Sequence, residues 1–390
     1  MELTNIINVS GTMTGLGASV TSEAVIEASA VMMRRFVVMH QLQSSASETI
    51  CAATGAEAGF IAASASAGIS MSIAGVITGL NAAAAEQLPG FAGENSLVAV
   101  QAGHLCNYGA PIAQAVELTG AKVQSVGSAT LCTDYQLQQA LGPDTVAALY
   151  VISHHVSHYG QIPLPRFCQI CREAGVPVIV DAASEYELRQ FLRDGADIVL
   201  YSGHKFLGGP TSGIVAGKRQ LVRAAYLQNL GLCRGMKVGK ESVAGAIAAL
   251  QAWTERDHQG IRESEEATLS YWQQQLSALA GVRTVTEDDP TGNPLRRLTV
   301  QINADTVGLT AAGFAEALGS ANPPIIVRDH EVEHGWFQLD PCNLLAGQAQ
   351  QVAAQICQTH QQAAQFTPSV QVEHNARNAS ADGYLNWMAE

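Results

Sequence analysis

The segment from Val178 to Gly217 reads VIVDAASEYELRQFLRDGADIVLYSGHKFLGGPTSGIVAG and sets a carboxylate at the end of one apolar run and an amine just after the next. Asp181 closes VPVIVD, and Lys205 follows DIVLYSGH. An amine so placed can attack a carbonyl to form a Schiff base, and a nearby carboxylate can keep a pyridine nitrogen protonated. Pyridoxal 5'-phosphate needs both. Lysines are scarce, at positions 122, 205, 218, 237 and 240 only, so one set between an apolar run and a Gly-Gly-Pro turn stands out. Partial burial there would lower the amine's pKa and make it a usable nucleophile. The plainer alternative is a strand-end cap at Asp181 and a surface charge at Lys205.

The phosphate of such a cofactor needs backbone amides and hydroxyls at a helix start. ASASAGISMSIAG supplies them: Ser64, Ala65, Ser66, Ala67 and Gly68 open an expected helix, and the small residues let backbone approach an anion. A ring must stack on the cofactor's free face, and His104 in QAGHLCNYGAP is the candidate, with Asn107 as a nearby hydrogen-bonder. Ser202 and His204 flank the lysine in YSGHK, the hydroxyl suiting phosphate and the imidazole suiting phosphate or proton transfer. His154, His155 and His158 in ISHHVSHYG look like a metal cluster, but adjacent residues on a strand end point to opposite faces and no carboxylate repeats beside them. No metal is expected. His155 is instead taken as a substrate or cofactor contact. Anionic substrates need cations, and Arg234, Lys237 and Lys240 in CRGMKVGKE and Arg328 in IIVRDH offer them, Arg328 as a clamp for an α-carboxylate. Each of these is alternatively a solvated charge.

The elements that must hold these residues are legible as alternation. The runs LVAVQ, KVQSV, VAALYVI, VPVIVD, DIVLYS and GIVAG interleave with helical patterns such as IAQAVELTG, LPRFCQICREAG and ELRQFLRDG. That predicts an α/β fold with a mostly parallel sheet, whose ligands bind beyond the carboxyl ends of the strands. After Gly217 a helical stretch runs from about Gly239 to Ala280, and LRRLTVQIN, PPIIVRDH, GWFQLD and LAGQAQQVAAQICQTH read as a smaller C-terminal α+β domain. The expected division is an N-terminal segment over 1–50, a large cofactor domain over 51–280, a small domain over 281–366 and a polar tail over 367–390.

Composition narrows the function class. At 390 residues the chain exceeds one ordinary core, and a formal net charge of −13 argues against a nucleic-acid partner. The opening MELTNIINVSG has no basic region followed by an apolar one, so the cytoplasm is the expected compartment. The eight cysteines have no framework spacing and read as free thiols; Cys168 and Cys171 form a CxxC inside an expected helix, without a second ligand pair. The uncharged stretch from Ala58 to Ala85 is long enough to span a membrane, but Ala, Ser and Gly dominate it, which fits a close-packed interior helix.

SGHKFLGGPTSGIVAGK, INVSGTMTGLGAS, TGAEAGF and GMKVGKE together resemble the fold-type-I pyridoxal phosphate enzymes grouped with bacterial selenocysteine synthase. Within that group the chain is most similar to the D-glucosaminate-6-phosphate ammonia-lyases, to about residue 345. The resemblance implies the aspartate aminotransferase-like fold, Lys205 as the Schiff-base lysine, Asp181 as the pyridine-nitrogen partner and Ser64 to Gly68 as the phosphate loop. It implies a lyase that releases ammonia from a β-hydroxy amino acid or amino sugar acid to leave a 2-oxo acid, with Lys205 as base. The alternatives are β-replacement of the selenium-transferase kind, racemisation, aldol cleavage, or a cofactor-binding regulator without catalysis. A homodimer or larger homo-oligomer is expected, with Arg34, Arg35 and His40 reaching the partner's pocket.

Overall fold

The computed structural model describes residues 3–92, 96–368 and 384–385. Among them the strands are β1 Ile7–Val9, β2 Ala58–Ala62, β3 Leu97–Gln101, β4 Lys122–Val126, β5 Thr145–Val151, β6 Val178–Asp181, β7 Ile198–Ser202, β8 Gly213–Gly217, β9 Val282–Asp288, β10 Arg296–Ile302, β11 Ile325–Val327 and β12 Trp336–Leu339. By internal contacts the chain divides into two compact units, one formed by Ser19–Arg256 and the other by Met1–Ala18 with Asp257–Glu390.

The Ser19–Arg256 unit is built on a seven-stranded sheet of order β2-β8-β7-β6-β5-β3-β4. All neighbours are parallel except β8, which runs antiparallel to both β2 and β7. Every residue of β2, β6, β7 and β8 is buried. Covering both faces with helices explains why these strands read as continuous apolar runs rather than as alternation. The helix Ala65–Thr78 lies almost wholly in the core, and its glycines permit that. A Cβ at Gly68 would sit 3.1 Å from Leu200 Cδ2, and one at Gly75 would sit 2.5 Å from the Ala225 nitrogen. The uncharged Ala58–Ala85 stretch is therefore a strand, this buried helix and the short helix Ala82–Gln87, and no helix among the described residues is long and apolar enough to cross a membrane.

The second unit carries a three-stranded antiparallel sheet, β12-β10-β9, and a parallel pair in which β1 lies beside β11 with Ile7 opposite Ile325. Its core gathers Ile7 and Val9 with Trp272, Phe314, Phe337 and Ile356. The first residues of the chain thus belong with the C-terminal sheet. The helical stretch after Gly239 is two helices, Lys240–Glu255 and His258–Leu276, and the division between units falls between them at Arg256/Asp257. The boundary anticipated near Gly281 lies inside the second unit, between the helix His258–Leu276 and β9. Most of the polar tail over 367–390 lies outside the described residues.

Candidate active site

Four parallel strands and one antiparallel return bring the chemistry of the Ser19–Arg256 unit together. Asp181 is the last residue of β6 and Ser202 the last of β7, and Asp181 is in register with Leu200 across the parallel pair. Beyond those ends the two exit turns are tied together: Ala182 N–H donates to Leu200 O at 2.9 Å and Ser202 N–H to Ala183 O at 3.1 Å. The β7–β8 connection is closed by Gly203 N–H to Ser212 O at 2.9 Å, Gly209 N–H to Gly203 O at 2.8 Å and Gly208 N–H to Lys205 O at 3.0 Å. Gly208 takes the left-handed φ of +68° that the closure requires. Lys205 is held at this loop, and its Nζ donates to Ser184 Oγ, a residue of the turn leaving β6.

Asp181 is only 8% exposed. One carboxylate oxygen accepts the Ala183 N–H at 3.2 Å; among the described residues the other accepts no hydrogen bond. Burial pushes its pKa up to about 6, with the Lys205 charge pulling the other way. A buried acid with an uncommitted oxygen beside an amine is what a protonated pyridine nitrogen and an aldehyde require as partners, so the donor set fits pyridoxal phosphate.

The helix Ala65–Thr78 starts with Ser64 as its cap, Ser64 Oγ accepting from Ala67 N–H at 3.0 Å. The first intrahelical bond of that turn runs from Gly68 N–H to Ser64 O at 3.0 Å, so the Ala65 and Ser66 amides precede it and are available to an anion. The Ser66 hydroxyl pairs with Tyr108 Oη at 2.7 Å. A Cβ at Gly213 would lie 2.1 Å from Ser64 O, so β8 passes directly against this turn.

His104 is buried at the turn after β3, edge-on to Tyr150 at 4.4 Å between ring centres. Its Nδ1 accepts the Val151 N–H at 3.2 Å, which places the ring hydrogen on Nε2, and burial, with His158 nearby, holds its pKa down at about 4. It is a neutral, fixed ring. Ser202 Oγ and His204 Nδ1 are 3.1 Å apart, and His204 is lowered by burial and then by Lys205.

The expected opposite orientation of His154 and His155 does not occur. β5 ends at Val151, so the pair sits in a turn, and their rings are 3.8 Å apart. Among the described residues no group of three or more His, Cys, Asp or Glu is placed to hold a metal ion. Asn107 is exposed, its side chain accepting Gly109 N–H at 2.9 Å. Arg234 and Lys237 are exposed, whereas Lys240 donates to Arg35 O and lies 5.6 Å over the Phe36 ring. His40 pairs with Tyr226 Oη at 3.1 Å. Arg328, in the other unit, is 6% exposed, and its side chain makes no hydrogen bond among the described residues; Arg297 nearby bridges Asp289 and Asp340 at 2.7 Å each. Ser184 and Tyr108 were not legible as site residues, because both lie in turns where no periodicity marks them.

This architecture is that of the fold-type-I pyridoxal phosphate-dependent transferases. A serine palmitoyltransferase structure of Sphingomonas wittichii shares the fold at 15% identity and a TM-score of 0.58 over 93% of this chain and 89% of that one. Residues 6–284 match the family model SelA, L-seryl-tRNA selenium transferase, and the chain belongs to that family. Among curated relatives it is 34% identical to a D-glucosaminate-6-phosphate ammonia lyase of Salmonella typhimurium over 93% of this chain and 98% of the relative. It is 32% identical to a 5'-C-glycyluridine monooxygenase-decarboxylase of a Streptomyces species, covering 86% and 85%. A solved D-glucosaminate-6-phosphate ammonia-lyase structure superposes with a TM-score of 0.84 at 34% identity, over 93% of this chain and 97% of that one.

Proposed function

We propose that the protein is a pyridoxal phosphate-dependent ammonia-lyase acting on a 2-amino-3-hydroxy acid of the D-glucosaminate 6-phosphate kind, converting it to the 3-deoxy-2-oxo acid and ammonia. The observation that carries this reading is the buried Asp181 with one free oxygen beside Lys205, on a chain alike in length and fold to a D-glucosaminate-6-phosphate ammonia lyase. When bound, the cofactor supplies an electron-withdrawing ring that stabilises negative charge at the substrate's Cα.

The chain's residues divide the remaining work. Lys205 Nζ would hold the cofactor covalently and is the group placed to take the proton from the substrate's Cα. Asp181 would pair with the ring nitrogen and keep it protonated, for which its carboxylate must be ionised; a cationic partner favours that form. The Ala65 and Ser66 amides and the Ser66 hydroxyl would take the phosphate at the start of the Ala65–Thr78 helix, and the fixed His104 ring would pack against the cofactor. Neutral His204, bonded to Ser202, is suited to pass a proton between Lys205 and the departing β-hydroxyl. Water lost in the elimination is regained on hydrolysis, so the net reaction releases ammonia alone. Arg328, a buried guanidinium without a side-chain hydrogen bond among the described residues, is assigned to a substrate anion, and exposed Arg234 and Lys237 to its phosphate.

Self-association belongs to the same reading. Met33, Phe36 and Val38 are 64%, 103% and 57% exposed around Arg34 and Arg35, an apolar surface suited to a second copy. Eight free cysteines fit a reducing cytoplasm. The test is direct: the cofactor-loaded protein is given D-glucosaminate 6-phosphate, and ammonia and 2-oxo acid are assayed. Equal amounts of both are expected. Exchange of the Cα hydrogen with solvent but no ammonia would replace this reading with racemisation or β-replacement.

A further inference from the structure

Of the two hydroxyls in the turn that opens the helix Ala65–Thr78, Ser64 Oγ is spent on the helix itself, accepting Ala67 N–H. Ser66 Oγ is engaged differently, by Tyr108 Oη at 2.7 Å across 42 residues of chain. The segment carrying Tyr108 is a closed turn: Asn107 Oδ1 accepts Gly109 N–H at 2.9 Å, Tyr108 N–H donates to Ala110 O at 3.1 Å and Ile112 N–H to Cys106 O at 3.1 Å. The phenol is therefore presented by a fixed loop.

A phenol is a far stronger acid than an aliphatic alcohol, so in this pair the phenol is the natural donor and the serine oxygen the acceptor. The serine hydroxyl then keeps its own hydrogen for another acceptor. Partial burial raises the Tyr108 pKa, the Ser66 hydrogen bond lowers it and the Asp181 charge raises it further, and the net rise keeps the phenol protonated throughout the neutral range. Asp181 acts likewise on Cys106, after burial, so the 106–108 segment faces the acid as well as the helix start.

We propose that Tyr108 is a positioning residue of the phosphate cradle: its O–H donates to Ser66 Oγ and turns the Ser66 hydroxyl hydrogen toward the cofactor phosphate. This rests on the pyridoxal phosphate reading above. It separates Tyr108 from a merely space-filling aromatic, because the role passes through one hydroxyl and concerns one anionic group.

The experiment measures equilibrium binding of pyridoxal phosphate and of pyridoxal, which lacks the phosphate, to the wild-type protein and to Tyr108→Phe, Ser66→Ala and the double variant. Tyr108→Phe is expected to weaken pyridoxal phosphate binding about tenfold and to leave pyridoxal binding unchanged. Ser66→Ala should do the same, and the double variant should be no weaker than Ser66→Ala alone, since both changes remove one linked contact. The proposal is overturned if Tyr108→Phe binds pyridoxal phosphate normally, if it loses both ligands equally, or if the two effects add in full. A wild-type protein that binds neither ligand would instead remove the cofactor reading, and this proposal with it.

Discussion

Lys205 Nζ donates to Ser184 Oγ, so the turn leaving β6 and the loop leaving β7 meet at the amine. Ser184 stands three residues after Asp181, and one short turn therefore supplies both the buried acid and the acceptor that aims the lysine. Replacing Ser184 with alanine should leave the protein folded and slow covalent attachment of pyridoxal phosphate about five- to tenfold, a loss of the size expected for one ordinary hydrogen bond. The rise of the visible absorption band on mixing reads this rate. A rate equal to wild type would show that Ser184 does not orient the amine.

Asp181 gives a pH signature in the cofactor-free protein. Its pKa of about 6 is raised from the usual carboxylate value chiefly by burial, so the folded state holds the proton more tightly than the unfolded chain. Stability from this group is present below the unfolded value and is lost as pH rises through about 6. Asp181→Asn should therefore gain on wild type between pH 5 and pH 8, by about 1–2 kcal/mol. Urea unfolding at the two pH values measures it. With cofactor added the order should reverse, because only the carboxylate pairs with a protonated ring nitrogen; an asparagine variant stabilised as much as wild type by the cofactor would contradict Asp181's assignment.

Gly213 has no room for a side chain. Its added Cβ would meet Ser64 O at 2.1 Å, and backbone cannot yield as a side-chain tip can. Gly213→Ala should cost about 1–3 kcal/mol in stability and displace the start of the Ala65–Thr78 helix, with a matching loss in cofactor affinity. Thermal unfolding and cofactor titration of the same sample test the two effects together.

Arg328 is a guanidinium deep in its unit, pushed down by burial and by the Arg297 charge, with Asp340 opposing them. If a substrate anion is its partner, Arg328→Met should raise KM at least about tenfold while kcat changes less, and the variant should be no less stable than wild type. A kcat loss with KM unchanged would place its role elsewhere.

Sequence alone exposed Asp181 and Lys205 because each ends or follows a continuous apolar run, and such runs are what strands buried on both faces look like. The helix Ala65–Thr78 was legible from its serine cap and small residues. Other features depend on long-range pairing that no local pattern encodes. β1 is three residues long and finds β11 more than three hundred residues away, so the first residues look like a detached segment until that pair is seen. Ser184 and Tyr108 act through turns, and the His154 and His155 rings come together because β5 stops at Val151, where strand periodicity no longer governs their directions. Lys240, one of four cations expected to meet an anion, engages Arg35 and Phe36 of its own chain, a tertiary contact with no sequence signature.

The central claim is that Lys205, and no other lysine, carries the cofactor. Protein incubated with pyridoxal phosphate, reduced with borohydride and digested should show by mass spectrometry a pyridoxyl-phosphate adduct confined to the peptide containing Lys205, and Lys205→Ala should show none. An adduct on Lys122, Lys218, Lys237 or Lys240 with Lys205 unmodified, or no adduct at all, would contradict the account.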